Sequence, residues 1–127
     1  AEKTWDRDLW VSGESKVKKI ESTDVALEVK KSGKPSVVVV YAPWCQFSQK
    51  MEEEFEKFAA EFGNDIDIYS FRGDEEREFV QANLNTQSFP TVNVITPDGT
   101  AIKYQSEVRT VEAFKKFVDE TLAKETA

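Results

Sequence analysis

One thiol in 127 residues carries whatever sulfur chemistry this chain can do: Cys45, within Trp44-Cys45-Gln46-Phe47-Ser48. The apolar run Val37 to Val40 precedes it and a helical pattern follows. A strand-to-helix junction is where a dithiol redox site keeps its attacking sulfur. A thiol held there meets unpaired backbone N–H groups and the positive end of the helix dipole, and both favour the thiolate. Ser48 occupies the place where Cys-x-x-Cys would put a second thiol. Its hydroxyl can donate a hydrogen bond to the thiolate but cannot attack a disulfide. The expected chemistry is therefore half of a thiol–disulfide exchange, in which Cys45 forms a mixed disulfide and waits for an external thiol. The competing reading is a buried, inert cysteine, the common fate of a lone one.

Composition removes several other chemistries. There is no histidine, so the usual general base and the commonest metal ligand are missing, and a zinc site or Cys–His nucleophile is not expected. A net charge of −7, with acidic runs at Glu52-Glu53-Glu54 and Asp74-Glu75-Glu76, disfavours nucleic acid, which needs clustered Lys and Arg. No apolar run approaches the roughly 20 residues of a membrane span, and no signal peptide opens the chain. It begins Ala1-Glu2-Lys3 without an initiator Met, which implies a processed or excised piece. A hydrophobic content of 39% with nine Phe suits one packed domain.

The elements that must position the thiol follow in order. Residues 1–15, with Trp5 and Trp10, read as a linker, and 16–127 as the domain. Val17 to Ile20 is a short strand. Asp24 to Lys31 is a helix capped by Ser22 or Thr23 and stopped before Gly33 and Pro35. Ser36 to Tyr41 lacks alternation, the pattern of a strand buried on both faces. From Gln46 to Phe62, Phe47, Met51, Phe55, Phe58, Ala59 and Phe62 form one apolar helical stripe, with Glu and Lys opposite. Ile66 to Phe71 alternates, with Asp67 and Ser70 as its polar residues, and reads as a strand. Asp74 to Leu84 is a short helix with Phe79 and Val80 inward. Thr91 to Ile95, the Pro97-Asp98-Gly99 turn and Ala101 to Tyr104 make a hairpin. Thr110 caps a last helix with Val111, Phe114, Val118 and Leu122 toward the core. This βαβαβαββα order is an α/β fold, a mixed central sheet with helices on both faces.

That order, with Tyr41-Ala42-Pro43-Trp44-Cys45 and the later Ser88-Phe89-Pro90-Thr91, resembles the thioredoxin superfamily over about residues 16–123. A closer resemblance is to the C-terminal redox domain of plant-type adenosine 5′-phosphosulfate reductases. It rests on the same lead-in, on Phe47, Gln49 and Met51, on Ser70-Phe71-Arg72, and above all on Ile102-Lys103-Tyr104-Gln105-Ser106-Glu107-Val108-Arg109. The resemblance implies a thioredoxin fold and a glutaredoxin-like module taking electrons from glutathione. It would pass them to an upstream reductase domain that makes sulfite and AMP from adenylyl sulfate in the chloroplast. No cofactor is expected in this domain, since the iron–sulfur cluster belongs to the reductase domain, which this chain lacks.

The resemblance also implies roles for particular residues. The proline matching Pro90 is cis and faces the active sulfur, so Phe89 and Pro90 should form the substrate wall. Trp44 and Phe47 should give its apolar rim, although Phe47 could equally belong to the helix stripe. The segment up to Thr110 lies where glutaredoxins hold the γ-glutamyl end of glutathione. A helix N-terminus capped by Thr110, with Arg109, could take that carboxylate, or be an ordinary cap beside a solvated arginine. Many relatives bury Asp or Glu six residues before the first cysteine. Val39 stands there, which suits a glutathione-linked domain better than a general protein reductase. Two departures remain: Gln46 for the frequent Pro, and Ser48 for the resolving Cys. Ser48 is either natural or an engineered trap, and the closeness of the rest to a dithiol domain favours the second. The alternative function is a non-enzymatic module that holds client proteins by a mixed disulfide, and a third is a structural docking domain with an unreactive Cys45.

Overall fold

The computed structural model describes residues 17–20, 22–42, 45–62, 66–74, 76–84, 86, 89–104 and 110–126, with side chains of the last helix described to Thr121. The expected linker, Trp44, Ser88, Arg109 and the Leu122 side chain lie outside the described residues.

Among the described residues five strands and four helices follow in order: β1 (Lys18–Ile20), α1 (Thr23–Lys30), β2 (Ser36–Tyr41), α2 (Gln46–Phe62), β3 (Asp67–Arg72), α3 (Arg77–Asn83), β4 (Thr91–Ile95), β5 (Ala101–Lys103) and α4 (Val111–Thr126). The sheet order is β1-β3-β2-β4-β5. β1 and β2 pair parallel to β3, while β4 runs antiparallel to β2 and β5. β2 is thus central, and its apolar run is covered on both sides, as its lack of alternation predicts.

Alternate residues of β2 feed two cores. Val37, Val39 and Tyr41 pack with Met51, Phe55, Phe58 and Ala59 of α2 and with Phe114 and Val118 of α4. Val38 and Val40 pack with Ala26 and Val29 of α1 and with Val80 of α3. Phe55 and Phe58 both meet the Phe114 ring edge-on, at centroid distances of 5.8 and 5.6 Å, locking α2 to α4. Each such ring contributes about 1.5–3 kcal/mol by burial. Val39 is completely buried, a plain apolar residue in the central strand.

Two expectations need correction. The third helix starts at Arg77, not Asp74. Asp74 instead binds the Arg72 guanidinium through both carboxylate oxygens, at 2.8 and 3.2 Å, and Glu76 N–H closes a turn onto Gly73 O. Ser70, read as a polar position, is completely buried with no partner for its hydroxyl among the described residues. It shares the face of β3 with Ile68, which packs into the core with β2 and α2. The hairpin forms as expected, with Gly99 at φ +89°, a conformation that costs glycine little.

Candidate functional site

The apolar drive that buries β2 places its last residue, Tyr41, at the C-terminal end of the central strand, and α2 begins at Gln46. Cys45 N–H donates to Ala42 O at 3.0 Å, and Cys45 O accepts the Gln49 N–H at 3.0 Å. Cys45 is therefore the residue from which α2 starts. One step beyond the β2–β3 ladder, Gly73 N–H donates to Tyr41 O at 2.9 Å, fixing the base of the turn. Lys19 Nζ donates to the Tyr41 hydroxyl at 2.6 Å on the flank.

Cys45 is half-buried, and its thiol points at Phe89 O, 3.5 Å from Sγ. The Phe89–Pro90 bond is cis, and Pro90 is buried. Two parts of the sequence far apart in the chain, Cys45 and Phe89-Pro90, thus meet as the resemblance implies. Phe47 leaves the core stripe: 54% exposed, it is the exposed large hydrophobic residue among those described, while Met51, Phe55, Phe58 and Ala59 carry the stripe into the core. Lys50 Nζ sits 6.0 Å from its ring centroid.

Ser48 behaves differently from the expectation. It is completely buried, and its oxygen accepts the Ala42 N–H at 3.4 Å instead of donating to the Cys45 sulfur. Position 48 faces inward on the first turn of α2, so its hydroxyl meets the backbone at the end of β2.

Thr110 is an exposed cap. Its Oγ1 accepts the Ala113 N–H at 3.2 Å, and Glu54 Oε1 from α2 accepts the Val111 N–H at 3.2 Å. A carboxylate of the chain itself therefore stands at the start of α4, where a substrate carboxylate was the alternative.

Three residues that the sequence reading passed over also shape the site. A Cβ on Gly73 would collide with Val40 Cγ1 and stand 3.0 Å from Phe89 Cε1, so the missing side chain is what seats the Phe89 ring. A glycine closing a strand was the available signal. Asn93, buried in β4, donates to Leu84 O at 2.7 Å and anchors the end of α3. Arg77 places its guanidinium carbon 5.5 Å from the Phe89 ring centroid. No feature of the sequence pointed to it. Among the described residues no group of three or more His, Cys, Asp or Glu could hold a metal ion, and no helix is long and apolar enough to cross a membrane.

A mixed sheet carrying one thiol at a helix start, opposite a cis-proline wall, defines a thioredoxin-like thiol oxidoreductase domain. The thioredoxin family model matches residues 16–120, and the chain belongs to that family. It is 40% identical over 88 residues to the chloroplastic 5′-adenylylsulfate reductase 1 of Arabidopsis thaliana, covering 67% of this chain and 19% of the relative. It is 29% identical over 111 residues to the protein disulfide-isomerase of Hordeum vulgare, covering 87% and 21%. The chain thus spans about a fifth of the length of these curated relatives. Among solved structures, the J-Trx1 fragment of ERdj5 superposes with a TM-score of 0.75 at 19% identity, over 84% of this chain and 50% of that one.

Proposed function

We propose that this chain is a glutaredoxin-like exchange domain that takes electrons from glutathione through Cys45 and serves an adenylyl-sulfate reductase domain in the plastid. The observation that carries the reading is the half-buried Cys45 thiol at the start of α2, 3.5 Å from Phe89 O. The similarity to the Arabidopsis 5′-adenylylsulfate reductase supports the partner and the compartment. Val39, completely buried where many relatives have a carboxylate, supports glutathione as the reductant.

The exchange runs on one sulfur. The Cys45 thiolate attacks the glutathionyl sulfur of a mixed disulfide R–S–SG. The Cys45–SG bond forms, the RS–SG sulfur–sulfur bond breaks, and RS⁻ leaves to take a proton from water. A second glutathione thiolate then attacks Cys45–SG, releasing glutathione disulfide and regenerating the Cys45 thiolate. Ser48 cannot supply that second attack, so the adduct persists when free glutathione is scarce.

Mass spectrometry after incubation with glutathione disulfide tests this. The expected result is one added glutathionyl group, removed by dithiothreitol and missing in Cys45→Ser. A protein that takes up none overturns the reading. A second reading, capture of a client protein, draws on the exposed Phe47 beside a thiol that lacks a resolving partner.

A further inference from the structure

The geometry points to Lys19, on the edge strand β1, as a positioning residue for the exchange site. It acts through Tyr41 and rests on the reading that Cys45 performs the exchange. The peptide joining Tyr41 to Ala42 is the hub of that site. Tyr41 O accepts the Gly73 N–H at 2.9 Å, and Ala42 O accepts the Cys45 N–H at 3.0 Å. The Ala42 N–H donates to Ser48 Oγ at 3.4 Å. The thiol-bearing residue, the first turn of α2 and the glycine that seats the Phe89 ring are thus all tied to two residues at the end of β2.

Whatever fixes the Tyr41 side chain therefore bears on where the thiol stands. That side chain is completely buried, and its hydroxyl ends against the Lys19 ammonium, which donates at 2.6 Å and lies 5.2 Å from the ring centroid. Lys19 comes from two strands away, a backbone separation of about 10 Å that two long side chains can bridge. In the register Lys19 pairs with Ser70 and Ser70 with Val39, so Lys19 and Tyr41 share one face of the sheet. Ser70, small and completely buried, lies between them on that face. The neighbouring Lys18 turns to the opposite face and pairs with Asp67 at 3.0 Å. A hydrogen bond from an ammonium is stronger than one between neutral groups, which suits Lys19 to pinning the ring. Lys19 acts on no reacting atom; it holds the ring whose backbone carries the turn.

Alkylation of Cys45 by iodoacetamide, a neutral reagent, tests the assignment across pH in the full chain. Lys19→Met removes the ammonium and keeps the alkyl stem. Tyr41→Phe removes the hydroxyl and keeps both the ring and the Lys19 charge. Each should lower the rate at pH 7 by roughly threefold to fivefold, about the worth of one hydrogen bond, and move the pH profile upward. The double variant should do no more than either single. Lys19→Arg should keep most of the parent rate, since its guanidinium still donates. Lys18→Met, which removes the same charge from the opposite face, should leave rate and profile alone. The Arg72–Asp74 pair, Lys50 over the Phe47 ring and Arg77 over the Phe89 ring are common to every variant and cancel in the comparison. A change in Lys19→Met without one in Tyr41→Phe, or an equal change in Lys18→Met, assigns the effect to charge and overturns the positioning role. Parent-like rates in both Lys19→Met and Tyr41→Phe overturn it as well, while Cys45 exchange stands. A parent protein that alkylates at Cys45 but takes up no glutathione overturns the exchange reading instead.

Discussion

A buried carbonyl at the end of α3 is held twice. Leu84 O accepts Asn93 Nδ2 at 2.7 Å and Thr86 Oγ1 at 2.9 Å, and all three residues are nearly or wholly buried. Thr86→Val removes one donor with little change of shape and should cost about 1 kcal/mol, the net value of a hydrogen bond whose acceptor keeps another partner. Asn93→Ala should cost about 1–2 kcal/mol, since it also leaves a small gap. Together they strand the carbonyl, and its full desolvation penalty of about 1–3 kcal/mol enters only then. The double variant should therefore exceed the sum of the singles by about 1 kcal/mol. For a domain of this size each kcal/mol moves the melting temperature by about 4 °C, so the coupling is measurable. Urea titration of all four proteins, checked for equal m-values, gives the cycle. Strictly additive singles would refute the shared-carbonyl argument.

Gly73→Val should cost about 1–3 kcal/mol by overpacking, because even its Cβ meets Val40 and the Phe89 ring. The same variant should change the alkylation rate of Cys45 by iodoacetamide in the native protein, and an unaltered rate with lowered stability would separate the glycine from the site. The Asp98 carboxyl is held below the usual carboxylate range, first by the Thr96 hydroxyl and then by the Thr100 N–H. Its contribution is present above the ordinary aspartate pKa of about 3.9 and is lost as pH falls through the lowered folded value. Asp98→Asn should thus melt below the parent at pH 7 and converge with it at strongly acid pH, and a constant difference by calorimetry would contradict this.

Legibility differed between elements for physical reasons. β2 and α2 fall where their patterns put them, because Val37 to Tyr41 and the Met51–Phe55–Phe58–Ala59 stripe are buried by the same core. Phe47 shares that stripe's period, yet it sits in the first turn and stays largely exposed. The start of α3 was misplaced because Asp74 looks like a helix-initiating acid while a local pairing with Arg72, two residues before it, claims it. Ser70 was misjudged because a serine looks solvent-facing, yet it sits on the same face of β3 as the core residue Ile68. The meeting of Cys45 with Phe89 and Pro90 was legible only through resemblance, since no local pattern joins residues so far apart in the chain. Ser48 was legible as a missing thiol, but its bond to Ala42 N–H depends on the helix's rotation against the end of β2.

The central claim is that one sulfur, Cys45, turns over with glutathione and that position 48 alone withholds dithiol chemistry. The most direct measurement compares the parent and Ser48→Cys on two substrates under matched glutathione: a small glutathionylated thiol and a protein disulfide that requires two thiols. The account predicts comparable turnover of the glutathionylated thiol by both proteins, and reduction of the protein disulfide by Ser48→Cys far in excess of the parent. Equal activity of the two proteins on the protein disulfide, or no turnover of the glutathionylated thiol by the parent, would contradict it.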